Sequence, residues 1–268
     1  MGNFLNWTGG NITGGSGGGT LAGTIIVSSS TNTSSVSGNT LFNASTIALT
    51  TGSITSLAYG GTIAFTNLPT GVINFQADGT AFVVGYLSSP TLVNQGTISK
   101  TGGTINGTSV QWAVDFQNGG TVNCQVGTLF FTGGGTLENG TINLSGAGSV
   151  QLAAGTFTIP SAATFTAPSN NGAYLNLNGG TITVSGTLAG NLTWTGGALT
   201  GGSGGGTLAG TIFVSSGPNP QSVGGNTLAN AGTLYWTGGT INSVQYSNVA
   251  LTNLPTGVID LRADGTAF

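Results

Sequence analysis

The stretch TGGSGGGTLAGTI at Thr13–Ile25 holds a run, Gly17 to Ala22, with the spacing of a dinucleotide-binding turn, and it returns unchanged at Thr200–Ile212. Such a turn must leave a strand, open a helix and meet an acidic residue about 20 positions on for the ribose. The residues after Gly19 are instead TLAGTIIVSSS, a strand pattern, and the first acidic residue is Asp78. A further version, Gly133–Ile142, carries one inserted residue. Recurrence in degraded form suits a structural corner, so no cofactor is expected.

Acid–base chemistry needs clustered carboxylates or bases. The charged residues are Lys100, Arg262, Asp78, Asp115, Glu138, Asp260 and Asp264, and there is no histidine. Asp115 and Glu138 lie 23 residues apart (138 − 115) and are the one pair whose spacing suggests stacking on neighbouring turns of a repeat. Asp78 and Asp264 each precede Gly in a matching ADGTAF and read as turn residues. Asp260 and Arg262 replace Asn74 and Gln76 of the first copy and are expected to pair on the surface, where a pair contributes little. Serine nucleophiles lack a histidine partner, and metal ions lack ligand sets. The expectation is therefore no enzyme and no metal. Cys124, the single cysteine, reads as a small buried apolar residue.

Trp7, Trp194 and Trp236 precede Thr-Gly-Gly. Exposed, they would form a platform for stacking on sugar rings; turned inward, they would pack beneath a corner. Thr-x-Thr recurs at 156–158, 164–166, 181–183 and 193–195, a pattern loosely similar to the threonine ladders of ice-binding solenoids. The irregular intervals argue against one flat array. Eight Asn-x-Ser/Thr sequons, at Asn6, Asn11, Asn32, Asn43, Asn106, Asn139, Asn143 and Asn191, are what so Asn- and Thr-rich a chain produces by chance.

These residues sit in a chain built from repeats. Residues 5–82 are matched by 192–268, with Trp7 and Trp194 offset by 187 (194 − 7), and residues 83–191 lie between. One full period and a partial second read as a window cut from a larger array. A shorter motif, N-x-(G/S)-T-(I/L)-x-x-T-x-G-x-I, occurs at Asn43, Asn94 and Asn230. Thr-Gly-Gly corners at Thr132, Thr195 and Thr237 are spaced by 63 and 42, multiples of about 21, whereas the 31 from Thr101 to Thr132 does not fit.

Alternating runs such as TITV, TLFF and TIFV, punctuated by Gly, Asn and Ser, indicate short strands, and 51 glycines disfavour helices. Ile98, Leu129, Ile182 and Leu234 should point inward, and stacked Asn residues could form ladders. The expected fold is all-β, a right-handed parallel β-helix (β-solenoid) with coils of about 20 residues, continuous over 1–268.

With a net charge of −3 and no basic cluster, nucleic acid and anionic lipid are poor partners, while self-association meets little repulsion. No apolar run approaches the roughly 20 residues that span a bilayer. Met1–Gly10 has neither a basic nor an apolar signal region. The motifs NQGTI, NAGTL, GTLENGTINL and GGTITVSGTL resemble repeats of large bacterial surface proteins of the filamentous-haemagglutinin and autotransporter-passenger type. That resemblance implies an extracellular β-helix serving as stalk, adhesin or fibre. The expected role is a non-enzymatic rod that stacks end to end, with an adhesin that binds glycan through a solenoid face as the alternative, and an ice-binding protein or a polysaccharide-active enzyme using Asp115 and Glu138 ranked below it.

Overall fold

The computed structural model describes residues 4–29, 32–57, 64–79, 82–84, 91–103, 110–112, 115–167, 174–243 and 251–263. Every regular element among them is a short strand, and all strand pairs are parallel. The strands stack into three sheets of 12, 12 and 11 members, with every third strand in chain order falling in the same sheet. The chain is thus a three-faced β-solenoid. The first face begins with Phe4–Trp7, the second with Gly10–Gly14 and the third with Gly19–Leu21.

Alternation decides what faces inward. In TITV, Ile182 and Val184 are buried while Thr181 and Thr183 are only half covered, and TLFF and TIFV follow the same rule. Ile98, Leu129, Ile182 and Leu234 all lie in one continuous core, as their patterns require. Between stacked coils, a parallel strand neighbour at about 4.8 Å brings each inward side chain onto its counterpart.

The short motif has a steric basis. Asn43, Asn67, Asn94 and Asn118 are fully buried and pass a hydrogen bond up the third face, each Nδ2 donating to the next Oδ1 at 2.7, 2.9 and 2.8 Å. A glycine stands two residues after Asn94 and Asn118 and four after Asn67, and each passes hard against the coil beneath. A Cβ on Gly96 would lie 2.3 Å from the carbonyl oxygens of Leu68 and Gly71. Ser45 takes the glycine's place at the base of the ladder, where the coil below carries no Asn turn.

Coil length is less regular than the expected 20 residues. It averages about 23, and runs from 17 between Thr183 and Thr200 to 30 between Phe82 and Trp112. The excess is taken up at the corners, so strands remain in register. This explains the misfit spacing: Thr132, Thr195 and Thr237 all follow strands of the second face, while Thr101 follows Thr97–Lys100 on the first. An interval of 31 is one coil plus one face.

The long repeat behaves the same way. Its ten strands from Phe4–Trp7 to Val72–Phe75 match, in order, ten strands from Asn191–Trp194 to Val258–Leu261. The matching strand comes 25 strands later, eight circuits and one face, so the second copy is turned by one face relative to the first. Trp7 is on the first face and Trp194 on the second; the Asn pair of the second copy, Asn230 and Asn253 (2.7 Å), stands on the first face instead of the third.

Candidate functional site

The glycine-rich stretch is a corner. Strand Gly10–Gly14 ends, Gly18 N–H bonds the Gly15 carbonyl at 2.9 Å, and strands Gly19–Leu21 and Thr24–Ser28 come next. The second copy repeats this with Gly205 N–H on the Gly202 carbonyl at 3.0 Å. Gly18 has φ +83°, and a Cβ there would come within 2.9 Å of the Thr40 carbonyl oxygen. The element after the glycines is a strand, not a helix whose N-terminus could meet a phosphate.

All three tryptophans named for ring stacking are interior, with Trp7 5%, Trp194 1% and Trp236 2% exposed. Each indole N–H donates to the carbonyl three residues on, at Gly10, Gly197 and Gly239, over 3.3, 3.2 and 3.1 Å. The Trp-Thr-Gly-Gly sequence is thus a corner closed from inside by its own ring, which leaves no ring face for a ligand. Their inward orientation was legible by parity, since Leu192 and Trp194 are two apart on one strand.

Other aromatic side chains form a row that reaches the surface. Tyr174, Phe213 and Tyr235 form a row on the second face, with ring centroids 4.8 and 5.1 Å apart. Arg262 lies 4.0 Å over the Tyr235 ring and bonds Asp260 through Nε at 2.8 Å, the surface pair expected from sequence. Phe213 and Tyr235 are stacked at 25°, so their faces cover each other and their edges meet solvent. In the first copy the same positions are Ile26 and Ala48. The tryptophan spacing does not point to this row; its sequence signal is the outward parity of Phe213 in TIFV and Tyr235 in TLYW.

Asp115 and Glu138 are not brought together. The register Phe116–Gly135 and Asn118–Leu137 sets Asp115 at the start of one strand and Glu138 beyond the end of the next. That separates their backbones by about four residues, roughly 13 Å along the strand. The Asp115 side chain, Asp264 and the Asn106 sequon lie outside the described residues. Among the described residues no three His, Cys, Asp or Glu side chains are grouped as metal ligands.

Two buried polar groups complete the chemistry. Lys100 is fully buried, and its ammonium donates to Asp78 Oδ1 at 2.9 Å and to the Gly102 carbonyl at 2.8 Å. Asp78 therefore holds a buried charge as well as serving in a turn. In the core, Lys100 is the strand neighbour of Cys124. Burial pushes the Cys124 thiol up to about 11, and its sulfur sits 3.6 Å from the Gly127 carbonyl oxygen. A thiol so protonated is a poor nucleophile at neutral pH.

The remaining distinctive surfaces are the two open edges of the stack. At one, Phe4 and Leu5 are 70% and 49% exposed and border an apolar hollow of about 290 Å³ formed with Thr20–Ile25. At the other, Val258 and Leu261 are 50% and 58% exposed. Their internal counterparts are covered: Leu192, which matches Leu5, is 1% exposed between Leu175 and Ile212, and Phe75, which matches Leu261, is 0% exposed between Leu49 and Lys100. Each edge also presents strand N–H and C=O groups that meet no neighbouring strand among the described residues on that side. No family model, curated protein or solved structure matches this chain.

Proposed function

We propose that the chain is a non-enzymatic structural rod, a stalk or fibre segment of a bacterial-surface type, whose open edges are covered head to tail by further coils, either of a second copy or of a longer chain. The observation that carries this reading is the contrast between edge and interior at matched positions of the repeat. Leu5 and Leu261 stand in water where Leu192 and Phe75 are sealed by the next coil. Covering one such side chain is worth about 1.5–3 kcal/mol, before the backbone hydrogen bonds of three strand edges are counted. Because every described strand pair is parallel, only head-to-tail contact continues the pattern, and such contact is open-ended. A chain with so few charges offers little repulsion to oppose it. An extracellular setting fits the resemblance of the repeat style to surface β-helices.

The test is association by light scattering over a hundredfold concentration range. Growth of the wild-type chain, suppressed by Leu5→Arg or by Leu261→Arg, supports the reading. Equal, concentration-independent mass for all three proteins would reject self-assembly. Glycan binding through a solenoid face finds less support, since Trp7, Trp194 and Trp236 are inside and the rings of Phe213 and Tyr235 cover each other.

A further inference from the structure

The intervals between Thr-x-Thr runs are irregular in sequence, yet the third face makes them regular in space. Thr156 pairs with Thr181 and Thr158 with Thr183 in adjacent strands. Thr136 pairs with Thr158 one coil below, and Thr200 with Thr183 one coil above. One column is therefore Thr136–Thr158–Thr183–Thr200, and beside it runs Thr156–Thr181–Ala198–Ser222. The steps of 25 (183 − 158) and 17 residues differ only in corner length. The resulting grid measures about 4.8 Å between strands by about 6.6 Å along them.

These side chains face water. Thr156 is exposed, and Thr136, Thr158, Thr181, Thr183, Thr200 and Ser222 are half-exposed. Thr183 and Thr200 share a hydroxyl contact of 2.9 Å, while Thr136, Thr156, Thr158 and Thr181 make no side-chain hydrogen bond to protein among the described residues. Neither column contains a charged residue; the nearest described one is Glu138, at the corner after Thr136. The Thr-x-Thr run at 164–166 lies on the first face and that at 193–195 on the second, so neither belongs to the grid.

From this grid we infer a second activity, independent of head-to-tail joining: the third face over Thr136–Ser222 binds the surface of ice. A hydroxyl bound to a dissolved sugar gains little, because water competes for each bond and the net return is about 1 kcal/mol or less. Against ice the competing water is itself the ligand. A charge-free, two-column array of hydroxyl side chains, interrupted only at Ala198, presents water with a grid of about 4.8 by 6.6 Å instead of isolated groups. The partner must be periodic, because the array is periodic and offers no pocket or ring to select a single molecule.

The experiment is partition of the 268-residue chain into slowly growing ice, together with recrystallisation of a frozen sucrose dispersion. The variants are Thr158→Tyr and Thr183→Tyr, with Thr211→Tyr on the second face as control, each checked for native circular dichroism. Enrichment of wild type and control in the ice fraction, with at least a roughly tenfold fall for both array variants, supports the inference. Exclusion of the wild type from ice overturns it, as does equal partition of all four proteins. Retention on a neutral polysaccharide matrix that depends on Thr158 and Thr183, without ice partition, would also overturn it by assigning the face to glycan. Because Leu5→Arg removes joining without touching the grid, its ice partition separates this activity from the rod reading.

Discussion

The two copies of the long repeat share about two thirds of their residues and stand in different surroundings. In the first copy the leading strand Phe4–Trp7 is an open edge and the closing strand Val72–Phe75 is interior; in the second, Asn191–Trp194 is interior and Val258–Leu261 is the open edge. Each copy thus shows how the other's edge looks when another coil covers it. Leu5 against Leu192 and Leu261 against Phe75 measure that covering directly. A solenoid coil is half a structure until its neighbour arrives, and burial at a position is set by the neighbour more than by the residue.

Substitutions at matched positions should therefore differ in cost. The largest contrast is expected for Phe75→Ala, which opens a cavity in the stacked core and should cost about 3–5 kcal/mol, against less than about 1 kcal/mol for Leu261→Ala at the edge. Urea unfolding monitored by circular dichroism reads both, and equal costs would mean that the edge is already covered in solution. Next comes the Asn pair. Asn67 is fully buried, accepts from Asn43 and donates to Asn94, so Asn67→Ala should cost about 3 kcal/mol by stranding its neighbours. Asn253, exposed at the edge, accepts from Asn230 and donates to the Gly257 carbonyl, and Asn253→Ala should cost about 1 kcal/mol or less. A filament-forming concentration of protein should raise the second value toward the first.

A further effect, absent at neutral pH, is a pH dependence confined to the interior between the copies. Burial raises Cys124 from 9.0 to about 11. A raised value means that the folded state keeps a proton the unfolded state has lost. The associated stability is fully present below pH 9 and disappears as pH climbs through 11, a fall of up to about 3 kcal/mol. Cys124→Ala should flatten that decline relative to wild type in unfolding curves at about pH 8, 9.5 and 11. An unchanged slope would assign the decline to other groups.

Strand type and interior were legible because they depend on alternation, a property of two neighbouring residues. TITV and TLFF declare Ile182, Val184, Leu129 and Phe131 without reference to the rest of the chain. The Asn-x-Gly motif was legible for the same reason, since its ladder and close approach repeat locally. Phase was not. Corners in coils of 17 to 30 residues hide which face a strand occupies, so the rotation of the second copy and the Thr grid emerge only once pairing is known. The open edges also leave no mark in sequence, because Leu5 and Leu192 sit in similar local patterns. Lys100 is masked by its charge: two residues after Ile98 it is inward by parity, and Asp78 from the coil below makes that possible.

Electron microscopy of the purified chain at rising concentration tests the central claim most directly. The account predicts unbranched filaments one solenoid wide, lengthening with concentration, and single short rods for Leu5→Arg and Leu261→Arg. Short rods of one length at every concentration, or wild-type and variant particles that look alike, would contradict it.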